Sequence, residues 1–156
     1  MEEINDYILK NDLEKVKEYL NLHNDISEDE KQLLMINAVK YDRLDILKYL
    51  INKFGINLSF KKNYLIGLAA MNSSYEIVKY LMNHPDINPA DDNNYAIQVA
   101  RMWDRTDIVK LLLSDSRVIK NLTYDQMNQI GLLEYFKEIY GIDSDEDIRI
   151  ILNVMM

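Results

Sequence analysis

Cysteine does not occur in the 156 residues, which excludes a disulfide framework, a thiolate zinc site and a cysteine nucleophile, and suits a reducing intracellular compartment. Proline (2) and glycine (4) are scarce, too few for the many turns of a β fold, so helices are favoured from the start. No run of about 18 apolar residues exists to span a bilayer, and the opening MEEINDYILKND is acidic where a signal peptide would be apolar. Positive charge is also in short supply: 18 Lys and Arg against 26 Asp and Glu leave a net charge of −8. A phosphate-backbone binder needs clustered cations, so nucleic acid is not expected as a partner. The two histidines, His23 and His84, have no helical metal partner at i+4, and there is no glycine-rich phosphate loop or nucleophile elbow. These shortages together predict a soluble, cytoplasmic protein with no metal, no cofactor and no membrane segment.

What is present is a period. The segments LEKVKEYL (13–20), LDILKYLI (44–51), YEIVKYLM (75–82) and TDIVKLLL (106–113) begin 31 residues apart each time. An acid recurs at Glu14, Asp45, Glu76 and Asp107, an aliphatic residue at Val16, Leu47, Val78 and Val109, and a lysine at Lys17, Lys48, Lys79 and Lys110. Upstream, Ala38, Ala69 and Ala100 share a column in a second apolar segment. Each unit therefore reads as two short amphipathic helices. The first helices fall at about 31–42, 64–72 and 95–103, and the second at 44–54, 75–83 and 106–114. Neither helix can bury its stripe alone, and stacking of neighbouring units does so.

The acid and lysine of each second helix stand three apart on a face outside the stacking stripe, which predicts solvated ion pairs. Ser27 with Glu30, Thr123 with Gln126 and Ser144 with Asp147 have capping-box or closely similar spacing, and Asn63 and Asn94 stand where an Asn can cap a first helix. The stretches 55–59, 84–93 and 115–121 are rich in Asn, Asp and Pro and are expected to project as loops. A fifth, shorter unit has Phe136 only 27 residues after Val109. The tail 143–156 forms one helix with Ile148, Ile151, Leu152 and Met155 on one stripe and acids at its N-terminus. The expected organisation is one all-α domain over 1–156, with units at about 2–22, 31–55, 64–83, 95–114 and 123–140 and a C-terminal capping helix at 144–156.

LAAMNSSYEIVKYLM (68–82) and VARMWDRTDIVKLLL (99–113) resemble the ankyrin repeat, in which a first helix ends in paired alanines and a second reads E-I-V-K-x-L-L. The resemblance covers about residues 4–140 and implies a helical repeat solenoid of four to five helix pairs with short loops. The form DDNNYAIQVA, followed by IVKLLLSDSRV, is similar to the divergent ankyrin proteins of large DNA viruses of protists, which implies a host protein as partner and the host cytoplasm as its location. The family's Thr-Pro-Leu-His opening is replaced by Tyr64-Leu65-Ile66-Gly67 and Tyr95-Ala96-Ile97-Gln98, so its hydrogen-bond network cannot form. The usual turn glycine is Asn11, Asp42, Ser73 and Asp104; Asn and Asp tolerate a left-handed backbone, Ser less well. The first helix of the first unit, in residues 2–10, is expected to act as an N-terminal cap.

The resemblance implies a non-catalytic protein–protein interaction module. The positions facing its groove are Lys10, Lys40, Tyr41, Met71, Asn72, Met102 and Trp103, and those on its loop tips are Lys61, Asn63, Asp92 and Asn94. A row of Tyr41, Met71 and Trp103 has the composition of an interface hot spot. His84-Pro85-Asp86 matches a co-chaperone tripeptide but lies in an inter-unit turn. Asp143, Asp145 and Asp147 mimic a calcium loop, yet Ile148 replaces the required Gly and Val154 the bidentate Glu. The tail shows no F-box-like segment of the kind poxvirus ankyrin proteins add. Two rivals stand beside the binding module. One is a self-associating protein using the apolar tail Ile150, Ile151, Leu152, Val154, Met155 and Met156, against which the expected state is a monomer or weak homo-oligomer; the other is an enzyme or small-ligand binder with an acidic groove.

Overall fold

The computed structural model describes residues 1–54 and 64–155, and among these twelve helices and no strand are formed. Contacts divide the chain into two compact units, Met1–Phe60 and Lys61–Met156. The first holds α1 (Glu2–Leu9), α2 (Leu13–Leu22), α3 (Glu28–Lys40) and α4 (Leu44–Phe54). The second holds α5 (Tyr64–Met71), α6 (Tyr75–Met82), α7 (Asp91–Met102), α8 (Thr106–Leu113), α9 (Ser116–Lys120), α10 (Tyr124–Gln129), α11 (Leu133–Tyr140) and α12 (Asp145–Met155). The helix pairs expected from the 31-residue period are present at nearly the expected bounds.

The columns of the repeat are the columns of the core. Val16, Leu47, Val78, Val109 and Phe136 are all fully buried, as are Ala38, Ala69 and Ala100. Burying each large apolar side chain contributes about 1.5–3 kcal/mol, and the small alanines let first helices approach. Within the first unit α1 packs on α3 and α2 on α4. Within the second, α5 packs most extensively on α7, while α6 also meets α8 and α8 also meets α11.

One turn is used five times. Asn11, Asp42, Ser73, Asp104 and Gly131 have φ of 59, 57, 61, 53 and 70°, so the left-handed conformation expected from the sequence is adopted even by Ser73. After each, the next backbone N–H returns to the first helix: Asp12 to Tyr7, Arg43 to Ala38, Ser74 to Ala69, Arg105 to Ala100 and Leu132 to Met127, at 2.8–2.9 Å. This is a Schellman closure, which satisfies carbonyls that the helix end leaves unpaired. The shortened fifth unit keeps it, since Gly131 follows Asp104 by the same 27 residues as Phe136 follows Val109.

Ser27 with Glu30 and Thr123 with Gln126 form complete capping boxes, and the Ser144 hydroxyl accepts the Asp147 N–H at 3.1 Å. Asn94 departs from its expected capping role. Asp92, Asn93 and Asn94 form a short left-handed turn (φ 52, 58 and 59°) before the regular part of α7, and the Asn94 side chain points inward.

Two of the expected projecting loops are instead packed. Residues 115–121 contain α9, whose Val118 and Ile119 are fully buried, and in the 84–93 stretch Ile87 and Ala90 are buried. Apolar residues spaced inside a polar stretch won over its turn-like composition. The stretch 55–59 lies outside the described residues. No helix among them is long and apolar enough to cross a membrane.

Candidate partner-binding surface

The ends of the first helices are exposed because the Schellman turn stops each helix in solvent. In the first unit Lys10 is the exposed C-cap of α1, its Nζ 2.6 Å from Asp6. Lys40 ends α3, with its ammonium 5.5 Å from the ring centre of the half-buried Tyr41, a cation–π contact. Leu9 beside them is 46% exposed. In the second unit Met71 is half-buried and Asn72 exposed at the end of α5, while Met102 (76%) and Trp103 (51%) protrude at the end of α7.

The loop-tip residues divide differently. Asp92 is exposed in the left-handed turn. Asn94 is not on the surface: it is 1% exposed, and its Nδ2 donates to the carbonyls of Val118 and Asn121 at 3.3 and 3.1 Å. It ties α7 to the end of α9 and leaves the binding set, because a buried amide that satisfies two carbonyls is structural. Lys61 and Asn63 lie outside the described residues.

An arginine that follows the turn residue fastens neighbouring first helices. Arg43 donates from Nε to the Ile8 carbonyl at 3.3 Å and from Nη2 to that of Leu9 at 2.8 Å. Arg105 donates from Nε to the Met71 carbonyl at 3.0 Å. A cation at a helix C-terminus also meets the negative end of the helix dipole. In the second unit the approach of Gly67 to Tyr95, together with the Arg105–Met71 bond, sets α5 and α7 running the same way, with their ends side by side.

A third column of exposed apolar residues escaped the reading of the sequence. Leu33 (44%), Tyr64 (40%) and Tyr95 (39%) are separated by 31 residues, and lie seven before Lys40, Met71 and Met102. The period itself was the signal, since the column recurs every 31 residues. On α5 and α7 this column and the helix ends share one face. Helix α5 (YLIGLAAM) carries no charged residue; beside Trp103 on α7, Arg101 is neutralised by Asp104 at 2.8 Å. Gln98, Arg101, Met102, Asp104 and Ile130 line a shallow open concavity next to it. The Arg101 guanidinium lies 3.2 Å from where a Cβ on Gly131 would sit, so a side chain there would make the arginine give by a few tenths of an ångström.

The repeated ion pairs stand on the second helices, mostly in solvent. Glu14–Lys17, Asp45–Lys48 and Glu134–Lys137 are 2.7, 3.8 and 3.1 Å apart, whereas Lys110 bridges to Glu138 on α11. The tail helix α12 buries Ile148 and Leu152 against the α9–α11 end of the second unit and leaves Ile150 (53%) and Val154 (82%) exposed. Its polar anchor is Asp145: one carboxylate oxygen meets Lys137 at 2.8 Å and the other accepts the Tyr124 hydroxyl at 2.7 Å. Lys137 first, then Tyr124, hold the Asp145 carboxyl below its usual value, and the same carboxylate raises Tyr124 and Lys137. Arg149 stacks 3.7 Å from the Tyr124 ring centre.

A family model described as ankyrin repeats (three copies) matches residues 7–91 and, overlapping them, 35–124. No curated protein and no solved structure matches the chain.

Proposed function

We propose that this chain, which belongs to the ankyrin repeat family, binds a partner protein through the exposed faces and ends of its first helices and does so without chemistry of its own. Ankyrin repeats are in general protein–protein interaction modules, and the position of that surface here is what the side chains support. The observation that carries the reading is the uncharged face of α5 and α7. On a chain with 44 charged residues (18 + 26), Tyr64, Tyr95, Met102 and Trp103 remain 39–76% exposed. Tyr, Trp and Met are the residue types that interfaces enrich, and an apolar face left in water is costly unless something covers it. Lys10, Lys40 and Tyr41 offer a second set on the first unit, with Asn72 and Asp92 as polar contacts.

A host protein as the partner rests on the similarity of DDNNYAIQVA and IVKLLLSDSRV to viral ankyrin proteins and on nothing else. The test is selection of binders from a displayed library of protein fragments, with footprinting by amide exchange. Protection of 64–71 and 95–103, lost together with binding in a Met102→Glu variant of unchanged helicity, is the expected result; protection confined to α12 would move the function to the tail. Self-association through Ile150 and Val154 is the second reading, favoured by their exposure, and sedimentation of the full chain over a range of concentrations decides it.

A further inference from the structure

We infer that the occupant of the α5/α7 face is an amphipathic helix of a partner protein, presenting a stripe of uncharged apolar side chains; this deepens the reading just given and rests on it. The face offers almost nothing to a charged partner. Helix α5 carries no charged residue, Arg101 is paired with Asp104, and the Nε–H of Arg105 is held by the Met71 carbonyl. An ion pressed onto this surface would lose its water without gaining a counter-ion, which disfavours charged segments.

The same scarcity decides the backbone of the occupant. Inside α5 and α7 the peptide groups bond along the helix, the carbonyls near their ends are taken by the closing turns, Ser74 to Ala69 and Arg105 to Ala100, and there is no strand edge among the described residues to extend. A segment in extended form would bury its peptide groups against apolar side chains with no hydrogen-bond partner. A helix satisfies its own. The spacing agrees, since Tyr64 to Met71 and Tyr95 to Met102 each cover seven residues, about two helical turns or ~10 Å. Trp103 at the end of the face supplies an aromatic anchor, and the ring of Tyr95 lying over Gly67 makes the surface between the two helices continuous.

Trp103 is the only tryptophan and reports on its own surface. The probes are two synthetic peptides of about 18 residues, identical in composition, with Leu at i, i+3, i+4 and i+7 on a Gln/Ser background; in one, two central prolines are placed so that it cannot be helical. The full chain is titrated with each, following Trp103 emission. The helical peptide should give a saturable blue shift, the proline peptide none, and Met102→Glu, checked for unchanged circular dichroism, should weaken the response at least tenfold. No shift with the helical peptide, an equal shift with the proline peptide, or a response unchanged by Met102→Glu each overturns the inference. A blue shift produced by raising the concentration of the chain alone would place a second copy on the face, and overturns it too. If the helical peptide fails while fragment capture still depends on Met102, the helix falls and the surface stands; if capture is also indifferent to Met102, both fall.

Discussion

A Cβ on Gly67 would lie 2.5 Å from Cε1 and 2.8 Å from Cδ1 of Tyr95, closer than real Cβ atoms come, so the tyrosine ring occupies the space that glycine leaves on α5. Gly67 in a helix interior costs about 1 kcal/mol in propensity relative to Ala, and the seated ring is what offsets it. Gly67→Ala should therefore destabilise the second unit by about 1 kcal/mol or somewhat more, overpacking exceeding the propensity gain. The half-exposed ring can swing outward, so the loss stays moderate. Urea titration of Gly67→Ala, Tyr95→Ala and the double variant tests the contact: the double variant should be more stable than the sum of the single losses, and simple additivity would mean that the two residues do not compete for space.

Ser73 holds φ at 61°, in a region that costs an ordinary L-residue about 1–2 kcal/mol. Ser73→Gly should stabilise the chain, by about 0.5–1 kcal/mol after the extra freedom of glycine in the unfolded state is subtracted. The same change at Asp42 or Asp104, where the side chain tolerates the conformation, should be close to neutral. A rise in midpoint for Ser73→Gly alone is the expected pattern, read by thermal or urea denaturation.

These two residues also show how far the sequence could be read. The 31-residue period, the alanine column and the turn positions were legible because each is imposed on every unit by the same stacking requirement, and repetition makes such a requirement visible. Ser73 was legible for that reason alone, since its own chemistry argues against the conformation it takes. What repetition does not carry was lost. Asn94 looked like a cap from its neighbours, and only a contact 24–27 residues away makes it a clamp. Val118 and Ile119 sit in a stretch whose Asp, Ser and Asn spoke for a loop, while two apolar residues were enough to bury it. The Leu33, Tyr64 and Tyr95 column was in the period, but whether an apolar position faces the stack or solvent depends on helix rotation within it.

Asn94 separates a structural from a binding role. Its removal takes a donor from the Val118 and Asn121 carbonyls, the first of which keeps the Asn121 N–H at 3.2 Å, and puts a less tolerant residue in a left-handed backbone. Asn94→Ala should cost about 2–3 kcal/mol, combining two lost hydrogen bonds with conformational strain. Asp92→Ala, at the exposed start of the same turn, should change stability far less. If Asn94→Ala is as stable as the wild type, the amide is not the clamp described above, and its place among the binding residues reopens.

The tail helix depends on a carboxylate for its polar anchorage and so should loosen in acid. Asp145 is held below its ordinary value of 3.8 by Lys137 and Tyr124. The folded state therefore binds its proton less readily than the unfolded chain, and the stabilisation is present above the unfolded value and lost as pH falls through the depressed one. Glu30, lowered from 4.5 chiefly by the Ser27 N–H, adds the same sign in the first unit. Amide exchange at α12 should thus quicken relative to α8 and α11 as pH is taken below about 4, after correction for intrinsic rates. Asp145→Asn keeps the shape of the side chain but gives up the ion pair with Lys137 and the charged acceptor for Tyr124, so at neutral pH it should already show the faster exchange and lose much of the further acid response at α12. Ile148 and Leu152 remain buried in that variant, which should keep the helix docked for most of the time. If Asp145→Asn exchanges at the wild-type rate throughout, those two apolar side chains hold the helix alone and the polar anchor contributes nothing measurable.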